Sequence, residues 1–363
     1  MNGAPPSPFT PRPPAPMLPA WQHVLAMSDS IGMFEHAELA SPRIENGYCT
    51  DDMARLLIAI VREPAPGRVL GELAGVCLRF LVDAQGVTGR ARNRRSADGQ
   101  WHDRRGVEDC WGRSVWAFGS TARFAPAESI RESARTFFGH AAGQRSPHRR
   151  AMAFAALGAA ELLATRPGDL QARQLLGDAV DTIGPFPSDP VWPWPEERLS
   201  YANAAIAEAL IAAGELLQRP DVLTKGLELL RWLIDRQLVG GHLSVVPAGG
   251  AGPKDNPPRF DQQPIEVAAI ADACARAERV TGDADWRRGV DLAIGWFVGD
   301  NDAMTPMSDP VTRGGFDGLT ASGPNQNQGA ESTLALITTM QHQRRHDLVR
   351  SGSGSRSLSP LRA

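Results

Sequence analysis

The chain has only four cysteines, Cys49, Cys77, Cys110 and Cys274, among 363 residues. They are scattered, without a C-x-x-C pair or any metal-like spacing, so a disulfide framework and a zinc ribbon are both excluded. Reduced thiols point to a cytoplasmic protein. No H-x-x-x-H or H-E-x-x-H occurs, which leaves a metal site without support, and no organic cofactor is implied. Net charge is only -3, so nothing recommends a nucleic-acid or anionic-membrane partner. Long apolar runs are missing too: Ala151 to Ala164 is too short and too rich in small residues to span a bilayer. Gly249-Gly250-Ala251-Gly252-Pro253-Lys254 lacks the frame of a phosphate loop and reads as a mobile loop. Tyrosine is scarce, with only Tyr48 and Tyr201.

What is present is ordinary globular composition, 42% hydrophobic and 22% charged. Residues 1–19 are Pro-rich and lack the apolar centre of a signal peptide, so they read as a disordered arm. Residues 346–363 are rich in Ser, Gly and Arg and read as a disordered tail. Residues 20–345 show no break in composition and are expected to form one domain.

Within that domain one plan recurs. Asn46-Gly47-Tyr48-Cys49-Thr50-Asp51-Asp52 is a polar turn that runs into a helix. Met53, Leu56, Leu57 and Ile60 fall at i, i+3, i+4 and i+7 on its buried face. Thr50 or Asp51 suits the N-cap, and Asp52 suits the first turn beside the positive end of the helix dipole. Glu108-Asp109-Cys110-Trp111-Gly112-Arg113 repeats the plan, as do Pro147-His148, the Trp192 to Asn203 stretch, Phe260-Asp261-Gln262-Gln263-Pro264-Ile265-Glu266, and Asn325-Gln326-Asn327-Gln328-Gly329-Ala330-Glu331. Six openings, spaced by roughly 40 to 65 residues, signal a repeat architecture. Helices opened this way are apolar around much of their surface, and the helices between them are amphipathic. An inner ring inside an outer ring gives a closed all-α (α/α)6 toroid. Short strands are expected near Val87, Val245 and Phe316, at the end where the openings converge. The inner helices are expected at 51–60, 109–118, 148–164, 197–217, 262–278 and 328–340. An open solenoid of hairpins is the competing arrangement.

This plan resembles the six-hairpin glycosidase-like superfamily. More narrowly, Gly32-Met33-Phe34-Glu35-His36-Ala37 and the openings at Gly47 and Glu108 resemble bacterial toroid proteins found fused to, or encoded beside, glycosyltransferases. Asp261-Gln262-Gln263-Pro264 and Asn327-Gln328-Gly329-Ala330-Glu331-Ser332 are similar to that group's later motifs. The resemblance implies an oligosaccharide substrate and a functional link to a glycosyltransferase. It does not fix the reaction.

The chemistry at the openings is that of carboxylates. Glycoside cleavage needs a protonated acid and a second carboxylate about 5–10 Å apart. Asp109 is expected as the ionised base, oriented by Arg113 one turn on, and Glu331 as the acid. Asp52 would position substrate or stand in for either catalytic carboxylate, and Glu266, among apolar neighbours, is the other candidate acid. Glu35, His36, Asp51, Glu197, His242, Gln262, Gln263, Asn325 and Gln328 are expected to bind hydroxyls. Tyr48, Trp194 and Tyr201 would offer aromatic platforms, whereas Trp111 and Trp116 read as core. Two alternatives stay open. One is a sugar epimerase or isomerase using His36, His148 or His242. The other is a non-catalytic saccharide-binding partner of a glycosyltransferase.

Overall fold

A computed structural model describes residues 18–255 and 259–354, those from 346 onward by backbone alone. The short α1 (Gln22–Ala26) is followed by five helical hairpins and a closing helix. The hairpins are α2 (Thr50–Val61) with α3 (Gly67–Gln85), α4 (Asp109–Phe124) with α5 (Glu128–Ala142), and α6 (Arg149–Leu163) with α7 (Leu170–Ile183). Then come α8 (Ala204–Leu216) with α9 (Pro220–Gln237), and α10 (Pro264–Thr281) with α11 (Asp285–Val298). The closing helix is α12 (Ala330–Gly354).

Even-numbered helices pack each on the next, and α12 returns to pack on α2, so the inner ring closes. The chain is a (α/α)6 toroid. Burial follows the ring: every residue of α6 from Arg150 to Leu163 is buried, whereas α7 buries only the stripe Ala172, Leu175, Leu176, Ala179, Val180 and Ile183. An inner helix is covered on both sides, and an outer one turns a polar face to water. Five long outer helices are present among the described residues rather than six. In the sixth place the five-residue α1 leans on α12.

Glycine lets inner helices approach backbone to backbone. A Cβ on Gly119 of α4 would lie 2.0 Å from the Gly158 carbonyl oxygen of α6, and one on Gly158 would lie 2.3 Å from that of Val115. Alanine would gain helix propensity, but here it must push two backbones apart. Gly119→Ala is therefore expected to cost at least about 2 kcal/mol of stability. Urea unfolding checks this, and stability equal to the parent's would refute the close-packing account.

Some boundaries differ from expectation. The N-cap of α2 is Cys49, one residue before the expected Thr50 or Asp51; its sulfur accepts from the Asp52 N–H. Helix α8 starts at 204 rather than 197, because Leu199 instead pairs with Ala251 in an antiparallel bridge. Helix α10 starts at Pro264, since Gln262 is bridged to Pro247 and Leu319. The strand pairs are β1 (Ala37–Glu38) with β2 (Ser41–Pro42), β3 (Tyr48–Cys49) with β4 (Arg94–Arg95), β5 (Leu238–Val239) with β6 (His242–Leu243), and β7 (Gly318–Thr320) with β8 (Gly323–Asn325). Val245 and Phe316 lie just outside β6 and β7, whereas Val87 lies in the turn after α3 and not by a strand. The expected arm at 1–19 lies outside the described residues up to 17, as does the tail from 355 on. The expected domain end at 345 falls inside α12. No helix among the described residues is long and apolar enough to cross a membrane.

Deep in the ring, the inner helices also supply charge. Arg62, the C-cap of α2, donates to Asp272 of α10 at 3.1 Å, and His342 of α12 lies 2.6 Å from the same carboxylate. Arg276 of α10 donates to Glu208 of α8 at 2.8 Å and to Glu161 of α6 at 2.9 Å, and Arg123 of α4 completes the belt on Glu161 at 2.5 Å. Each of the six inner helices, or its cap, contributes a member, and α10 contributes two, Asp272 and Arg276.

Candidate functional site

The opposite end of the ring is open, and there the N-termini of the inner helices line a two-lobed cleft. One lobe, about 490 Å³, is walled by Glu35, His36, Asp52, Gln263, Asp317 and Asn325, among others. The other, about 670 Å³, is walled by Asp109, Arg113, His148, Arg150, Glu196 and Tyr201, among others. Asp51, Arg55 and Glu331 belong to both lobes and form the waist between them.

Helix geometry sets that waist. Asp51, Asp52 and Arg55 occupy the first turns of α2, so the i,i+3 spacing brings Arg55 Nη1 to 2.5 Å from Asp52 Oδ1. The other nitrogen of the same guanidinium donates to Glu331 Oε2 at 2.6 Å, across the seam where the ring closes. Asp52 and Glu331 are thus separated by two hydrogen bonds and the width of one guanidinium, inside the about 5–10 Å span that glycoside chemistry uses. Asp52 itself is buried and bonded by the Cys49 thiol at 3.1 Å, and burial pushes its carboxyl above the ordinary range. Burial also pushes Asp51 up, against the opposing pull of Arg113 and Arg55.

Arg113 reaches Asp51, with Nε 3.4 Å from Oδ1, and not Asp109 as its i,i+4 spacing suggests. Asp109 instead accepts from the Tyr201 hydroxyl at 2.5 Å. That phenol is pushed up to about 12 by burial and then by Asp109, so it remains a donor. Arg150 lies 4.5 Å from the Tyr201 ring centroid and donates to Glu196 at 2.5 Å, fixing the platform from below. On the other lobe, Arg94 ion-pairs with Glu35, which lies 3.6 Å from His36. Glu35, Cys49 and Asp52 bring three ligand-type atoms within 4.8 Å of one another. Arg94 and Arg55 already balance the two acids there.

Several expected site residues lie elsewhere. Glu266 is 1% exposed behind the wall, accepting from the Asn203 amide N–H at 3.2 Å and its side chain at 2.8 Å. Its position two residues into α10 turns it toward α8, away from the cleft. Tyr48 is wholly buried, donates to Asp29 at 2.6 Å and stacks on Phe34, because its place in β3 points it into the core. Trp194 is likewise buried, stacked on Trp232. Glu197 is exposed, and its neighbour Glu196 faces the lobe instead. His242 is held by Asp302 at 3.0 Å away from both lobes. Gln328 is buried against Thr312 and Asp309. Gln262 touches the cleft, but its amide is spent on Asp302, the Arg259 carbonyl and Trp296.

Sequence reasoning missed Arg55, Arg94, Arg150, Glu196 and Asp317. One signal was available: Arg149 and Arg150 are cations in the first turn of α6, where the helix dipole disfavours them. Such placement calls for partners that only the tertiary structure reveals.

Glu266 carries a prediction. Burial raises it from its ordinary 4.5 to about 7. Between those values the folded chain holds a proton that the unfolded chain has lost. Its stabilising contribution is therefore full below pH 4.5 and is lost as pH rises through 7. Glu266→Gln should flatten that fall by up to about 3 kcal/mol. Denaturant melts of both proteins at pH 4.5 and 7.5 check it, and parallel pH slopes would refute it.

No family model matches the chain, and no curated protein matches it. Solved structures match over almost its whole length. A sugar epimerase from a ruminal bacterium superposes with a TM-score of 0.64 at 12% identity, over 89% of this chain and 95% of that one. Cellobiose 2-epimerase from Spirochaeta thermophila gives 0.63 at 14% identity, covering 90% and 93%. A GH76 alpha-mannanase from Bacteroides thetaiotaomicron gives 0.60 at 11% identity, covering 84% and 88%. At such identities the likeness establishes the shared fold.

Proposed function

We propose that this chain is a carbohydrate-active enzyme, a glycoside hydrolase that cleaves an oligosaccharide lying across both lobes. The observation that carries the reading is the waist: Asp51 and Glu331 are the two carboxylates common to both lobes. A sugar unit on each side puts the linking oxygen between them. Asp51, pushed up by burial, is the proton donor to that oxygen. Glu331, ion-paired with Arg55, is the second carboxylate. Asp52 anchors Arg55, Tyr201 offers a ring face to the sugar, and Asp109 holds the Tyr201 hydroxyl.

The proteins it resembles in fold include an epimerase of cellobiose and an alpha-mannanase, which supports a saccharide substrate. Proton transfer by histidine has less support, since His36 and His148 line different lobes and neither is common to both. The glycosyltransferase link implied by the sequence resemblance fits this reading, as an enzyme acting on that partner's product. Incubation with α- and β-linked oligosaccharides of two to five units, followed by chromatography, tests the proposal. Shortened products are expected. A product of unchanged length with one inverted carbon would replace hydrolysis by epimerisation, and binding without turnover would leave a saccharide-binding protein.

A further inference from the structure

Below the waist the bore of the toroid continues as a chamber of about 70 Å³. Each inner helix gives it an apolar wall residue: Ile58, Trp116, Phe154, Ala205, Ala269 and Ala335. Arg62, Asp272 and Glu208 of the ionic belt close its floor, and its mouth is formed by Arg55, Arg113 and Glu331, which also line the cleft. A chamber with such walls offers water few partners and favours an apolar occupant.

The mouth is polar and unfinished. Arg113 is only 4% exposed, yet its Nε and Nη2 make no hydrogen bond among the described residues, and neither does Arg55 Nε. Its guanidinium lies 3.9 Å from the Phe154 ring centroid, at the chamber wall. Asp51 Oδ1 ion-pairs with Arg113 at 3.4 Å from Nε, in a geometry that completes no hydrogen bond, and so stays an unbonded acceptor beside them. Buried donors left unmade are costly, so a ligand acceptor is called for. A phosphate or carboxylate would meet the ion-paired Glu331 carboxylate at close range and be repelled. A hydroxyl would serve Arg113 but leave the chamber empty. A carbonyl oxygen with a short apolar tail meets both demands.

We propose that the sugar unit at the waist carries an acyl group, an acetamide or an acetyl ester, whose carbonyl oxygen accepts from Arg113 and whose methyl enters the chamber. This rests on the glycoside reading of the cleft. An acetamide would also offer an N–H to Asp51 Oδ1, whereas an ester would not.

The test is calorimetric titration of the full chain with matched pairs. These are N,N'-diacetylchitobiose against cellobiose, N-acetylmannosamine against mannose, and mono-O-acetylated mannobiose against mannobiose. At least tenfold tighter binding of the acylated member is expected in one or more pairs, from methyl burial and the completed hydrogen bonds. Preference confined to the first two pairs identifies the amide, and preference confined to the third identifies the ester. Ala268→Leu and Ala269→Leu, at half-buried positions on the chamber wall, should bring the ratio close to one in a folded protein. Equal binding within every pair overturns the acyl inference and leaves the glycoside reading standing. No saccharide binding in any pair overturns both. A preference that persists in both folded leucine variants overturns the chamber as the acyl seat.

Discussion

Asp51→Asn and Glu331→Gln are each expected to lower turnover by about 10²–10⁴ while saccharide affinity changes only a few-fold. The expectation follows from the waist, where these two carboxylates face both lobes at once. Asparagine keeps the size of Asp51 but has no acidic proton for a leaving oxygen. Glutamine at 331 keeps a carbonyl for Arg55 but no negative charge. The pH dependence has a definite sign. Burial raises Asp51, and its protonated form is the active one, so the rate should fall as pH climbs through that raised value. In Asp51→Asn this alkaline limb should vanish along with most of the rate. Asp109→Asn should be milder, within about tenfold, because Asp109 acts by holding Tyr201. Unchanged turnover in both folded waist variants would sink the carboxylate mechanism. A loss in Asp109→Asn as large as in Glu331→Gln would restore Asp109 as the base.

The ring was legible because period and burial agree. The run Ala151 to Ala164 has no polar stripe, and only a helix covered on both sides needs none; α6 is that helix. The convergence of the openings was legible too, since closure leaves their N-termini nowhere else to meet. Roles within an opening were harder, because one residue of shift changes the wall a side chain faces. Glu196 lines a lobe and Glu197 does not; Asp51 lines both lobes while Asp52 lines one and holds Arg55. Consecutive helical residues point about 100° apart, and loop residues obey no period at all. Aromatics misled for a different reason: Tyr48 and Trp194 sit in openings but stack inward, where their area is worth most. Arg113 illustrates the limit of local spacing. It has an acid one turn before it in sequence, yet Asp51 of another helix is the carboxylate within reach.

The ionic belt was invisible for a related reason, and removing its centre has the largest expected effect on stability. Glu161, Glu208 and Arg276 lie on three different inner helices, and only ring closure brings both carboxylates within 2.9 Å of the Arg276 guanidinium. Arg276→Met should cost about 3–5 kcal/mol at pH 8, because two buried carboxylates lose their shared donor. They are not equivalent. Burial would raise Glu161, but Arg276, Arg123 and Arg62 together outweigh it and hold it low. Glu208 relies chiefly on Arg276, and burial lifts it to about 7. In the parent, therefore, the contribution of Glu161 is present above its unfolded value and is lost as pH falls through its depressed one. That of Glu208 is full at acid pH and is lost as pH rises through about 7. Without Arg276 both carboxylates move upward, so the deficit of the variant should be greatest at pH 8 and should shrink toward pH 5, where protonation relieves the buried charge. Adding Glu208→Gln and Glu161→Gln to Arg276→Met should recover much of the loss, since what destabilises is an unpaired charge and not the absence of a pair. Denaturant melts at pH 5 and pH 8 decide the matter. A deficit below about 1 kcal/mol at pH 8, or one that grows toward pH 5, would mean that the belt does not carry charge in the folded ring.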